Sequence, residues 1–552
     1  MKLTTVLLLL GFLNLSLQDD KTPKVRTSLG TVRGYHKISR QGREYEAFEG
    51  IPYGQPPVGE LRFQPPHPAE EWSGVLSATK KGSICTQYLM RSMAIDGQII
   101  TGDEDCLYVN IYAPIRNGKN TLLPVIFWIH GGAYLFGSGN DMNETLIMDR
   151  DVVLVTVNYR LGPFGFLSTG DSLVPGNMGL KDQNLALRWV SKNIENFGGD
   201  PKNITLMGFS AGASSVHYHY LTPLSAGLFH RGISISGVAL NPWTQTERAP
   251  EKARKLAAVL GCPTSSVRKM VNCLRTRPAK QLSQAVDDII YWLFNPFSVF
   301  GPVVEKHGPD AFITRSPIDV INSGEAYDVP WISGVVSEEG LYTSAEFVAN
   351  NTLLKHLNDN WDDIAPYLLD FNDTIPLNEK KQVAEKIRKH YLGSEPIDSN
   401  SMMPVIHMMG DRLFAHNFER AARLQARKNK SPVWTYLYSY RSMYSLSDTL
   451  SGTTRNFGVS HSDDTFLVID TRTSSVTRPS DVQMQQILLD FYTSYAIDGK
   501  PRVGNAVWPS LNPNDKDFHY LHITNPRTIK MESNSDFAQR SFWTSINFDE
   551  NK

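Results

Sequence analysis

Apolar residues along this chain gather into short unbroken runs, separated by polar stretches rich in Gly and Pro. Val125 to Ile129 is one such run, directly after Pro124, and Val152 to Val157 is another, rich in β-branched residues. Continuous runs of this length predict strands buried on both faces of a largely parallel sheet. Between Asp182 and Ile194 the apolar positions Leu185, Leu187, Trp189 and Val190 predict a helix. Ile204 to Met207 predicts the next strand, Val329 to Val335 and Val433 to Tyr438 predict later ones, and Gln483 to Tyr495 a closing helix. Strand and helix alternate, as expected for an α/β doubly wound sheet. From about Pro250 to Ser323 the alternation weakens. A helical insertion over the sheet edge is expected there, with loops that shape a pocket.

The first residues follow a different pattern. Lys2 precedes the leucine-rich runs Val6 to Leu10 and Leu13 to Leu17. One cation before a short apolar run reads as a secretory signal, placed at residues 1–18, with cleavage between Ser16 and Asp20. The run is too short to span a bilayer comfortably. The C-terminal residues from Phe542 are polar and lack a lipid-anchor signal. Residues 19–552 then form one domain of an exported protein without a membrane anchor. The formal net charge is −1, from 55 Lys and Arg against 56 Asp and Glu. That balance gives no basic footprint for nucleic acid.

Export changes how the four cysteines read. Cys85, Cys106, Cys262 and Cys273 suggest two disulfides in three possible connectivities. No Cys-x-x-Cys or His-Glu-x-x-His spacing supports a metal site. N-x-S/T sequons at Asn143, Asn203, Asn350, Asn372 and Asn429 are glycosylation candidates, each requiring a surface loop. Pro432, directly after the last motif, argues against Asn429.

Candidate chemistry centres on Gly208-Phe209-Ser210-Ala211-Gly212. A strand is predicted before it and a helix, Ala211 to Leu221, after it. That is the setting of a nucleophile elbow, in which small residues let strand and helix approach and the turn projects the serine oxygen. A serine hydroxyl needs a base to take its proton and donors for the oxyanion that forms on attack. His130-Gly131-Gly132-Ala133 follows a predicted strand and offers such donors: the backbone N–H groups of Gly132 and Ala133, joined by that of Ala211. His130 itself reads as a turn residue that positions the glycines. His217 and His219 read as structural or surface residues of the helix after the serine. His461, in the Gly- and Asp-rich stretch Gly458 to Asp464, is the candidate base on a loop that would leave its imidazole mobile. The acid belongs between Ser210 and His461 at a strand end, where Ser337-Glu338-Glu339-Gly340 stands. Pattern alone does not separate Glu338 from Glu339, nor set aside Asp463 or Asp464.

At this point the chain resembles a known family, the type-B carboxylesterases and cholinesterases. Phe197-Gly198-Gly199-Asp200-Pro201 through Gly212 is similar to the family's serine signature, and Glu104 through Tyr112 to its second signature. Gly54-Gln55-Pro56-Pro57, Leu61-Arg62-Phe63 and Asn158-Tyr159-Arg160 add to it. The likeness runs from about Val25 to about Phe542. It implies an α/β-hydrolase fold, a large mostly parallel central sheet flanked by helices. It implies a Ser210, Glu339 and His461 triad, with pairing of Cys85 with Cys106 and of Cys262 with Cys273. Within the family the chain is most similar to secreted insect carboxylesterases, venom and juvenile hormone types among them. The venom type would imply an allergen.

Two departures bear on substrate. Cholinesterases carry Glu directly before the serine and a choline-stacking Trp between the first two cysteines. Here Phe209 takes the first place, and Cys85 to Cys106 contains no Trp. Quaternary ammonium groups need such an aromatic face or a charge, so uncharged small-molecule esters are the expected substrates, with no cofactor or metal called for. The alternatives are a juvenile hormone esterase, whose usual Gln before the serine Phe209 also replaces, a lipase acting at interfaces, and a non-catalytic cholinesterase-like binding protein.

Overall fold

The computed structural model describes residues 22–94, 96–115, 121–469 and 477–550. The expected signal segment lies outside them. Among the described residues, eleven strands form one sheet. Its order from one edge is Thr528–Asn534, Phe518–Asn525, Val433–Tyr438, Trp331–Val336, Arg231–Ile235, Gly199–Phe209, Leu123–Ile129, Val153–Val157, Tyr108–Pro114, Glu44–Pro52 and Tyr35–Ile38. The seven strands from Phe518–Asn525 to Val153–Val157 pair in parallel, and the outer pairings are antiparallel.

The unbroken apolar runs are explained by this placement. Along Leu123–Ile129, Val125, Phe127 and Ile129 join the core on one face of the sheet, while Ile126 and Trp128 join the core on the other. Val153, Val155 and Val157 alternate with Leu154 in the same way. Burying a side chain such as Phe127 contributes roughly 1.5–3 kcal/mol, and here neither face of the strand is left to water. Helices cover both faces. Met178–Asn193 and Ala211–Leu221 pack on one, and Pro479–Asp498 supplies Met484, Leu488 and Leu489 to the other.

The insertion contains the helices Ala249–Val259, Val267–Thr276, Ala279–Gln284 and Pro317–Asn322. It does not lie between edge strands. It connects Arg231–Ile235 to Trp331–Val336, which pair with each other inside the sheet. It therefore leaves at the carboxyl end of a central strand, the end where parallel sheets of this type carry their sites. Disulfides join Cys85 to Cys106 and Cys262 to Cys273, the pairing that the resemblance implied.

Of the sequon asparagines, Asn350 is exposed and Asn203, Asn372 and Asn429 are partly exposed. Asn143 departs from the surface-loop expectation. It is buried, and its side-chain oxygen accepts from Thr145 N–H at 3.3 Å and Thr145 Oγ1 at 2.7 Å, capping the helix Glu144–Ile147.

Candidate active site

The strand Gly199–Phe209 ends where the helix Ala211–Leu221 begins, with Ser210 between them. Ser210 has φ 56° and ψ −120°, a conformation that costs a non-glycine residue about 1–3 kcal/mol and is held by its surroundings. Its N–H donates to the Ile235 carbonyl at 2.8 Å, and its carbonyl accepts from Ser214 N–H at 2.9 Å. The flanking glycines allow the turn. A Cβ on Gly212 would collide with the Ile129 carbonyl oxygen, and one on Gly208 with that of Gly212.

The turn from His130 packs directly on this elbow. A Cβ on Gly131 would stand 2.9 Å from the Ser210 Cβ. Gly132 has φ 108° and Ala133 φ 54°. The N–H groups of Gly132, Ala133 and Ala211 donate to no other group among the described residues, so three donors stand beside the serine. His130 braces the turn. Its Nδ1 lies 2.8 Å from the Gly131 carbonyl, its ring stacks on Tyr159 at 4.3 Å, and the Tyr159 hydroxyl donates to the His130 carbonyl. Burial lowers its pKa to about 4, which keeps it neutral. The neighbouring motif residues are fixed in turn, Asn158 on the same loop and Arg160 on the helix that carries Asp182. Asn158 Oδ1 accepts from Ser138 Oγ and Gly139 N–H, both at 2.9 Å, and Arg160 is fixed by Asp182 at 2.7 and 2.8 Å.

The two glutamates after the strand Trp331–Val336 have separate partners. Glu339 is buried; its Oε2 lies 2.5 Å from His461 Nδ1, and its Oε1 accepts from Val336 N–H at 2.9 Å. Glu338 Oε2 instead accepts from Val459 N–H and Ser337 Oγ, both at 2.6 Å. It fastens the histidine loop to the sheet. The loop is accordingly not a mobile one, as its Gly and Asp content suggested. His461 is 1% exposed. Asp463 accepts from Ser460 N–H at 2.9 Å and Leu446 N–H at 3.1 Å, and Asp464 accepts from the Tyr436 hydroxyl at 2.9 Å. Burial pushes both aspartates up to about 7, with the Glu339 charge adding to the shift of Asp464.

His217 and His219 are fully buried, and burial lowers them to about 4 and about 3. His217 Nε2 meets Gln425 Oε1 at 2.9 Å and its Nδ1 accepts from Ala239 N–H; His219 lies between Ser225 and Gln183. Both hold the helix to its neighbours.

Ser210 and His461 line one cavity of about 430 Å3, and among the described residues His461 Nε2 has no hydrogen-bond partner. The walls are largely apolar, with Met93, Trp128, Phe136, Met142, Leu446, Phe466 and Ile469, and their polar part includes Ser138, Asn140 and Asp141. Tyr88 and Tyr108, the aromatic residues nearest the missing Trp in sequence, do not line it. Their hydroxyls donate to Asp287 at 2.5 Å and Asp105 at 2.8 Å. Three rings surround the imidazole: Phe414 at 4.7 Å, Phe209 at 4.9 Å and Tyr342 at 5.0 Å between centroids. Sequence reading missed Tyr342 and Phe414. Tyr342 stands three residues after Glu339, at the start of a helix, a spacing that could have found it. Phe414 is presented by a π-helical turn, Asp411–Ala415, which leaves no readable signal.

Comparison with known proteins adds to this geometry. A family model described as the carboxylesterase family matches residues 21–543. A carboxylic ester hydrolase from Bombus ignitus is 67% identical, covering 99% of this chain and 98% of that protein. Venom carboxylesterase-6 from Apis mellifera is 61% identical, covering 100% and 99%. Among solved structures, juvenile hormone esterase from Manduca sexta, with OTFP covalently attached, superposes with a TM-score of 0.82 at 27% identity, covering 95% of this chain and 99% of that one.

Proposed function

The chain belongs to the carboxylesterase family and is a carboxylic ester hydrolase; from that premise we propose that it is a secreted enzyme acting on uncharged esters through an acyl-enzyme on Ser210. His461 Nε2 takes the proton from Ser210 Oγ as the oxygen attacks the ester carbonyl. Glu339 orients the ring and stabilises its charged form. The oxyanion is received by the N–H groups of Gly132, Ala133 and Ala211; losing one such donor typically costs about 10²–10³ in kcat. His461 then gives its proton to the departing alcohol. A water, deprotonated by the same imidazole, cleaves the acyl-enzyme and restores Ser210.

The observation that carries this proposal is the convergence on one cavity of a strained serine, a carboxylate-bound histidine and the glycine turn at Gly131 and Gly132. A non-catalytic binding protein would have no use for it. The apolar walls and Phe209 support neutral substrates. Secretion is supported by the venom relative, by the two disulfides and by the leader-like pattern of residues 1–18. Glycosylation is carried by the sequons alone, and a venom role by the venom relative alone.

Pre-steady-state hydrolysis of an uncharged chromogenic ester tests the acyl-enzyme. About one equivalent of alcohol per active site should appear in a burst before steady turnover, where deacylation is slow. Alcohol and acid released together without a burst for every ester, with no acyl adduct trapped at low pH, would argue for direct water attack.

A further inference from the structure

The stretch from Lys252 to Val286 contains eight Lys and Arg and no Asp or Glu, in a chain whose net charge, this stretch included, is −1. It spans the helices Ala249–Val259, Val267–Thr276 and Ala279–Gln284. On the first helix Ala253, Leu256 and Ala257 are buried, and Arg254 and Lys255 stand on the outer face. On the second, Met270, Val271 and Leu274 are buried, and Arg268 and Lys269 face out. Lys280 on the third shares a shallow depression with Val259 and Leu260, at whose far side Asp288 bounds the cationic stretch. Among the described residues these five cations form no ion pair, whereas Lys252 and Arg275 are bonded to Asp373 and Glu60.

The cations sit on a stiff frame. The Cys262–Cys273 disulfide ties the turn after the first helix to the second helix. Arg62, paired with Glu104, donates to the carbonyls of Leu274, Arg275 and Arg277 at 3.3, 3.0 and 2.6 Å and so anchors the end of the second helix. With the backbone frame fixed in advance, only the side chains lose freedom on binding a polyanion.

We propose that this face binds a linear sulfated polysaccharide. Its composition distinguishes that partner from the other polyanions. Residues 252–286 contain no Phe, Tyr or Trp on which bases could stack. Val259 is their one exposed large apolar side chain, so the face lacks the apolar stripe that seats a helix in a lipid surface. Regularly spaced charges on a flexible chain need only the lysine and arginine array, and the choice of an extracellular polyanion rests on the secretion proposed above. Binding would retain the protein at a surface without touching the cavity that holds Ser210.

The test is a titration of the full-length protein into a fluorescein-labelled heparin oligosaccharide at several salt concentrations, followed by anisotropy. Binding should weaken steeply with salt, and the combined variant Arg254→Ser, Lys255→Ser, Arg268→Ser and Lys269→Ser should lose at least about tenfold in affinity with a shallower salt dependence. A control removing four cations elsewhere, Lys355→Ser, Lys381→Ser, Lys386→Ser and Lys389→Ser, should bind nearly as the parent does. Turnover of a neutral ester by both variants reports correct folding. Absence of salt-sensitive binding by the parent, equal loss in both variants, or capture by phosphatidylserine vesicles in preference to heparin would overturn the proposal.

Discussion

Glu339 and His461 meet at 2.5 Å, Oε2 to Nδ1, with each side chain 1% exposed. Glu338, one residue earlier, is committed to the Val459 N–H instead. The two carboxylates should therefore respond differently to the same change. Glu339→Gln should lower kcat on a neutral ester by roughly 10³–10⁴-fold, because an amide cannot balance the imidazolium or hold its tautomer. Glu338→Gln should stay within roughly tenfold, since an amide oxygen can still accept from the Val459 N–H. Similar losses in both variants would move the acid elsewhere, with Asp463 and Asp464 the next carboxylates to replace.

The elbow depends on a glycine with no room for a side chain. Gly212→Ala would drive a methyl group into the Ile129 carbonyl, and both partners are backbone. Overpacking that cannot be relieved by a rotamer costs about 1–3 kcal/mol or more. The variant should lose activity and melt several degrees lower in a thermal scan. Full activity with an unchanged Tm would mean that the strand and helix do not approach as closely as described.

How far the site could be read from sequence depended on how local its geometry is. Ser210 was legible because strand, Gly-x-Ser-x-Gly and helix lie within one stretch of chain. The glutamates were not separable by pattern, since what distinguishes them is the loop more than a hundred residues later that each one meets. Phe414 was invisible for a similar reason: its contact with His461 arises from a π-helical turn, not from any spacing. The buried strands were legible from their unbroken apolar runs, while the insertion's position between central strands required the sheet order itself.

Selectivity should follow the residue before the serine. Phe209 places a ring, not a carboxylate, beside His461, so the ratio of kcat/KM for a choline ester to that for its neutral carbon isostere should lie below one. Phe209→Glu should raise that ratio roughly tenfold, the effect of about 1.4 kcal/mol of added attraction for a cation. Measuring the ratio for both proteins cancels general losses of activity. A parent enzyme that favours the charged ester would contradict the assignment of neutral substrates.

Asp464 should make stability depend on pH. Burial, helped by the Glu339 charge, raises its folded-state pKa to about 7 from the ordinary aspartate range. The folded protein then binds more protons than the unfolded chain between pH 4 and 7, and stability falls as pH rises through that window. Asp464→Asn cannot ionise and can still accept from the Tyr436 hydroxyl. The Tm of the variant relative to the parent should therefore increase from pH 4 to pH 8, and relief of the Asp463–Asp464 repulsion acts in the same direction. A constant difference would show that Asp464 ionises without penalty.

Ser210 as nucleophile is the central claim, and peptide mass spectrometry after fluorophosphonate treatment tests it most directly. One phosphonyl adduct should appear, on the peptide carrying Gly208-Phe209-Ser210-Ala211-Gly212, with activity lost in proportion to labelling. Ser210→Ala should take up no label and hydrolyse no ester while keeping the parent's circular dichroism. A stoichiometric adduct on another serine, or continued turnover by the alanine variant, would contradict the account.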